Sequence, residues 1–111
     1  MTMSDPAPLL HGTLDLIVLQ LLAGEPTNGY HLAQRIEAAT HEVLHVNAGS
    51  LYPALYRLEE RGLIRARWKP SPTGRRAKVY SVTAAGRKQL AEQRTAWKRS
   101  AGAIGAILRQ A

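Results

Sequence analysis

Residues 47–80 constrain the fold more than any other stretch. Asn47-Ala-Gly-Ser-Leu-Tyr-Pro-Ala-Leu-Tyr-Arg-Leu-Glu-Glu-Arg-Gly-Leu-Ile64 is followed by Arg65-Ala-Arg-Trp-Lys69, by Pro70-Ser-Pro-Thr-Gly74 and by Arg75-Arg-Ala-Lys-Val-Tyr80. Asn47 is a helix-capping residue, and Leu51, Leu55 and Leu58 recur at helical spacing, so they share one face. Pro53 falls in the first turns, where a missing N–H costs little, and Gly62 supplies the stop. This predicts a helix over about Ala48–Arg61. Leu63–Lys69 and Arg75–Val82 then read as two strands around a Pro/Ser/Thr/Gly turn. On the return strand Ala77, Val79 and Ser81 share one face, and Lys78, Tyr80 and Val82 the other. The pattern leaves open which face is buried.

The remaining elements are consistent with a frame around this unit. Leu14, Leu16, Ile17, Val18, Leu19, Leu21 and Leu22 predict a helix over about His11–Ala23 that is apolar nearly all round. Such a helix needs cover on two sides, from its own domain and from a second body. Gly24-Glu-Pro-Thr-Asn-Gly29 breaks it, with Thr27 or Asn28 capping a second helix over Gly29–Thr40 whose buried stripe is Leu32, Ala33 and Ile36. His41–Val46 is a connector, with a short extended piece expected at Val43–Val46. Thr83 caps a last helix running toward the C-terminus. Along it Leu90, Trp97 and Ile104 are seven apart, as are Arg94, Ala101 and Leu108, an a/d seam with Arg94 as a polar intrusion. A seam of that length asks for a partner helix. The order helix, helix, helix, hairpin, long helix is that of a winged helix-turn-helix, mainly α with a small β-hairpin, extended by a dimerisation helix. The expected division is a disordered tail at 1–8, the winged helix-turn-helix at 9–82 and the dimerisation helix at 83–111.

Charge points to the partner. The net charge of the 111-residue chain is +7. Residues 1–47 are net acidic and residues 48–56 carry no charge. The excess of Lys and Arg lies in the hairpin region and the last helix, which suits a polyanion, nucleic acid before membrane. The chain has no Cys, which excludes disulfides and thiolate chemistry and suits a reducing compartment. The first residues lack a basic segment followed by an apolar run, so neither a signal peptide nor an anchor is expected, and a cytoplasmic location is the default. No nucleophile–base pair, phosphate-binding Gly-rich loop or paired-carboxylate site is evident, so no cofactor and no enzyme activity are expected. His41 and His45 are four apart, but no third ligand accompanies them, so no metal site is expected.

Three groups of residues carry the binding expectation. With Leu51, Leu55 and Leu58 turned inward, the helix at 48–61 shows Gly49, Ser50, Tyr52, Pro53, Tyr56 and Arg57 outward. Small residues let a helix approach a groove, Ser and Tyr hydroxyls donate to phosphates or base edges, and Pro and Tyr contact thymine methyls. The alternative is a surface helix whose Tyr rings cover core. Lys69, Arg75, Arg76 and Lys78 surround the hairpin tip, where cations position a domain on the backbone or enter the minor groove. Asn28 and Tyr30 open the second helix, the end that crosses the DNA backbone in a helix-turn-helix. Trp97 lies mid-seam, either as a dimer-core aromatic or as the wall of an intersubunit pocket for a flat aromatic effector.

These residues resemble the PadR-like transcriptional regulators. The resemblance is carried by Leu14–Leu22, Gly29-Tyr30, Gly49-Ser-Leu-Tyr-Pro-Ala-Leu55, Arg57-Leu-Glu59, Arg61-Gly-Leu-Ile64, Gly74-Arg-Arg76, Lys78-Val-Tyr80 and Thr83-Ala-Ala-Gly86, in order, from residue 9 to about 90. The single last helix is similar to the shorter branch of the family. The resemblance implies a homodimer on a palindromic operator in double-stranded DNA, usually a repressor, with some members released by aromatic or drug-like ligands. Tyr30, Ser50, Tyr52, Pro53, Arg57, Arg75, Arg76 and Lys78 are the matching DNA-contact positions; Asn28, Tyr56 and Lys69 rest on the residues alone. The competing readings are a winged helix that docks a protein partner and a ligand-sensing dimer without specific DNA binding.

Overall fold

The computed structural model describes residues 8–110. In order these are α1 (Pro8–Gly24), β1 (Thr27–Asn28), α2 (Gly29–Ala39), α3 (Ala48–Glu60), β2 (Ile64–Pro70), β3 (Arg76–Val82) and α4 (Ala84–Leu108). The tail expected at 1–8 lies outside the described residues except for Pro8, which opens α1. The core joins Leu14, Val18, Leu19 and Leu22 of α1, Leu32 and Ile36 of α2, and Leu51, Ala54, Leu55 and Leu58 of α3. Leu63, Ile64, Tyr80 and Leu90 close it. The three leucines that predict the α3 face are all buried, so the helix period reports its packing correctly.

The sheet is antiparallel with order β1-β3-β2. β1 is too short to show a period in the sequence; it pairs Thr27 with Tyr80 and Asn28 with Val79. The hairpin register pairs Ile64 with Val82, Ala66 with Tyr80 and Trp68 with Lys78, which puts these side chains on one face. Burial of Ile64 and Tyr80 identifies it as the inner face. Arg65, Arg67 and Lys69 alternate with it and point outward.

Local chemistry sets the element ends. Asn28, Asn47 and Thr83 cap α2, α3 and α4, accepting from the N–H groups of His31, Ser50 and Gly86. At the end of α3 Gly62, at φ +73°, lets its N–H donate to the Glu59 carbonyl while the Leu63 N–H donates to that of Leu58. This double closure is a Schellman motif. Thr83 then donates its N–H to the Leu63 carbonyl at 3.0 Å and its hydroxyl to the Gly62 carbonyl at 2.7 Å. The root of α4 is thus fixed to the turn from which the hairpin starts.

Two expectations need correction. Val43–Val46 forms no strand: Thr40 accepts from the Leu44 N–H at 3.1 Å and, with His41 and Glu42 at positive φ, folds the connector back as turns. Pro53 is the sixth residue of α3, past the turn whose N–H groups have no helical acceptor, so the Gly49 carbonyl lacks its usual i+4 donor.

The far half of α4 leaves the domain and gives the chain a longest axis of 58 Å against 28 Å and 21 Å across. Leu90 is buried in the chain's own core, so the seam open to a partner starts at Trp97 rather than at Leu90. Trp97, Ile104, Ile107 and Leu108 are exposed, Arg94 is exposed beside them, and Ala101 is half-buried. Between α1, the end of α2 and α4 runs an apolar groove of about 380 Å³ with Leu16, Ile17, Leu21, Ile36, Leu44 and Trp97 in its wall. The all-round apolar character of α1 is thereby explained: Leu14, Val18, Leu19 and Leu22 serve the core, and Leu16, Ile17 and Leu21 line the groove. Among the described residues no helix is long and apolar enough to cross a membrane.

Candidate nucleic-acid interface

The exposed side of α3 carries Gly49, Tyr52, Pro53 and Tyr56, with Ser50 half-buried at its border. No residue from Ala48 to Tyr56 is charged. Asn47 holds this end by accepting from the Ser50 N–H at 2.9 Å. Tyr52 projects toward α2, and its ring occupies the space that a Cβ at Gly29 would need, 2.9 Å from the nearest ring atoms. A side chain at Gly29 would therefore displace the half-exposed Tyr52 ring, and the start of α2 packs closely against the start of α3. Tyr30, next in the chain, is 68% exposed and takes no part in the core.

Arg57 is not wholly free. Its guanidinium donates to Asp15 of α1 at 3.1 Å, and the Asp15 side chain is only 14% exposed. One carboxylate oxygen uses one of five N–H donors, so Arg57 keeps capacity to donate outward while anchoring α3 to α1. Asn28 is divided in the same way. Its Oδ1 caps α2 by accepting from the His31 N–H at 2.8 Å, and its Nδ2 lies 3.4 Å from His31 Nδ1, which leaves the second amide N–H as the outward donor.

The four cations expected together at the hairpin tip do not sit together. Only Arg75 belongs to the tip, a loop closed by Ser71 N–H to the Arg75 carbonyl at 2.8 Å and by Gly74 at φ +82°. Arg76 lies on the inner face with its guanidinium 5.7 Å from the centre of the Trp68 ring. Lys78, also inner, approaches Glu59 of α3 at 3.5 Å. Its slight burial works to lower the ammonium pKa, but Tyr80 and the Glu59 carboxylate outweigh this and raise it above the ordinary lysine value. Lys69 lies on the outer face, opposite Ala77. The physical reason for the split is the two-residue period of a strand, which separates neighbours in sequence onto opposite faces.

Between the start of α2, α3 and the inner face of the hairpin lies a cleft lined by Asn28, Tyr30, Tyr52, Trp68, Lys78 and Tyr80. Trp68 is the residue that sequence reasoning missed. Its alternation with Ile64 and Ala66 places it on the inner face, but β2 outruns the core there and leaves it exposed. Among the described residues no cluster of three or more His, Cys, Asp or Glu can hold a metal, and His45 approaches Glu37 at 3.3 Å.

An uncharged, narrow helix face flanked by Arg and Lys on a hairpin is a surface that can enter a groove while its flank meets phosphates. Three helices, a three-stranded sheet with a basic hairpin and a long last helix define a winged helix-turn-helix protein. Residues 18–92 match the transcriptional regulator PadR-like family. The chain belongs to that family. It is 31% identical over 105 residues to the transcriptional regulator YqjI of Escherichia coli, an alignment covering 90% of this chain and 49% of YqjI, so the chain spans about half of that relative's length. It is 36% identical over 78 residues to the transcriptional regulator Rv3488 of Mycobacterium tuberculosis, covering 70% of this chain and 72% of that one. Among solved structures, a transcriptional regulator from Clostridium thermocellum superposes with a TM-score of 0.85 at 26% identity, over 93% of this chain and all of that one (100%).

Proposed function

We propose that this PadR-family transcriptional regulator is a homodimeric repressor that reads a palindromic operator with α3 and holds the backbone with its hairpin. The single observation that supports this most is the exposed, uncharged face of α3, flanked by Arg57 and by the wing cations Arg75, Arg76 and Lys78. Ser50, Tyr52, Pro53 and Tyr56 meet base edges and thymine methyls, while Asn28 and Tyr30 join the cations on phosphates. The exposed α4 seam supports the dimer, with Ile104 and Leu108 of one copy covering the α1/α4 groove of the other. Two α3 helices then meet successive major grooves about 34 Å apart. Selection of bound fragments from random double-stranded DNA tests this. A palindrome with half-sites about one helical turn apart is expected, and enrichment of no sequence refutes the reading. Replacing Arg75 and Arg76 together by Ala is expected to weaken binding to all sequences alike and to flatten the slope of log affinity against log salt by about 3.6, for the four cations the dimer loses. An unchanged slope removes both from the backbone contacts.

The groove beside Trp97 favours a second, compatible reading, in which a flat aromatic effector enters at the intersubunit seam and alters the spacing of the two readers. Trp97 is 51% exposed and forms part of an almost wholly apolar wall. In a Trp68→Phe background the remaining Trp97 fluorescence is expected to be quenched by planar aromatic compounds, with Trp97→Phe abolishing their binding in calorimetry. Absence of quenching and of binding heat defeats this reading.

A further inference from the structure

The wing cations fall into two sets with different surroundings. Arg76 and Lys78 are engaged on the inner face by Trp68 and Glu59. Arg65, Arg67 and Lys69 stand on the outer face of β2, all exposed, opposite Ser81, Val79 and Ala77, which are neutral. Among the described residues no ion pair or side-chain hydrogen bond engages any of the three. They recur every second residue on a strand, so they form a straight row with about 6.7 Å between neighbours. β2 is also an edge strand, and among the described strands it pairs with β3 alone. Unneutralised like charges at that spacing repel one another, and a row of regularly spaced anions removes the repulsion.

We propose that Arg65, Arg67 and Lys69 form a second backbone-binding surface that takes the sugar-phosphate strand of DNA flanking the operator. This rests on the DNA-reading function proposed above and extends it. The row faces away from α3, on the side of the wing opposite the reading helix. Straight DNA in contact with α3 runs past it, so engagement requires the flank to bend toward the wing. The flanking phosphates therefore add affinity without adding base readout, and they add it only when the duplex is long enough to reach the outer face.

The test uses the duplex that the wild-type chain selects from random DNA, as a fragment of about 20 bp and within one of about 60 bp, sizes set by two half-sites one helical turn apart. The variant is Arg65→Gln, Arg67→Gln, Lys69→Gln. The control, Arg87→Gln, Lys88→Gln, Arg99→Gln, removes the same charge from exposed positions of α4. Wild type and control are expected to bind the long duplex more tightly than the short one and to retard it as a bent molecule. The wing variant is expected to bind both lengths equally, with the salt slope on the long duplex lower by about 5.4, since the dimer loses six cations. From 50 to 200 mM salt its affinity for the long duplex then falls roughly 2,000-fold less than that of wild type. Unchanged sequence preference with equal length dependence in wild type and wing variant overturns the inference and leaves the DNA-reading function intact. An equal loss of slope in the control reduces the effect to net charge and also overturns it. If the wild type selects no sequence, the DNA-reading function fails and the inference with it.

Discussion

Gly86→Ala is expected to destabilise the protein by about 1 kcal/mol net and to lower its Tm by roughly 5 °C. In an ordinary helix interior this change favours folding by about 1 kcal/mol, because glycine is the poorer helix former. The surroundings of Gly86 reverse the sign. A Cβ there would overlap the Leu63 carbonyl oxygen and lie 2.6 Å from Val82 Cγ2. The oxygen cannot yield, because it accepts from the Thr83 N–H and belongs to the turn that closes α3. Overpacking against fixed backbone costs about 1–3 kcal/mol, enough to outweigh the helix gain. Gly102 on the same helix is the control. A Cβ there meets nothing within 4 Å, so Gly102→Ala is expected to raise Tm by a few degrees. Thermal unfolding of both variants decides the matter; a Gly86→Ala protein as stable as wild type would show that the contact between α4 and the Leu63 turn relaxes freely.

Ile104→Asp with Leu108→Asp is expected to give a folded monomer whose operator affinity is lower by about 10² to 10⁴, the factor that linking two modest sites supplies. Both residues are exposed in the protomer, 48% and 77%, so neither substitution removes a contact from its own core. Ala103→Asp with Ala106→Asp adds the same charge to the side of α4 away from the seam and is expected to leave the dimer intact. Sedimentation measures the association and titration of labelled operator the affinity. A dimer that survives the seam variant, with affinity unchanged, would refute the assignment of α4 as the dimer helix.

The sequence patterns located the helices because their apolar periods reflect which face is buried. Leu51, Leu55 and Leu58 gave the inner side of α3, and hence its outer side, without any tertiary information. The caps Asn28, Asn47 and Thr83 and the stop at Gly62 were equally local. Features set by long-range neighbours were not legible. β1 has only two residues, and only its pairing with β3 makes it a strand. The inner face of the hairpin was ambiguous because both faces of β3 mix apolar and polar residues. Leu90 lies in register with Trp97 and Ile104 along the heptad, but only packing reveals that the core claims Leu90 and leaves the others outside. The partition of wing cations was implicit in the two-residue period of β2, yet without the strand register it looked like a single basic cluster. The contacts of Arg57 with Asp15 and of Gly29 with Tyr52 join residues far apart in sequence and leave no local trace.

The uncharged face of α3 also separates two quantities that an operator titration usually mixes. Counterions respond to fixed charge, and the first two turns of α3 have none, whereas the hairpin beside it is strongly basic. On the proposed reading, added salt weakens binding everywhere through the hairpin and leaves the base preference of α3 largely untouched. Affinity and selectivity then depend on different segments of the chain. Ionic strength sets occupancy without blurring which site is occupied, and exchange of the hairpin between relatives would transfer salt sensitivity without transferring the recognised sequence.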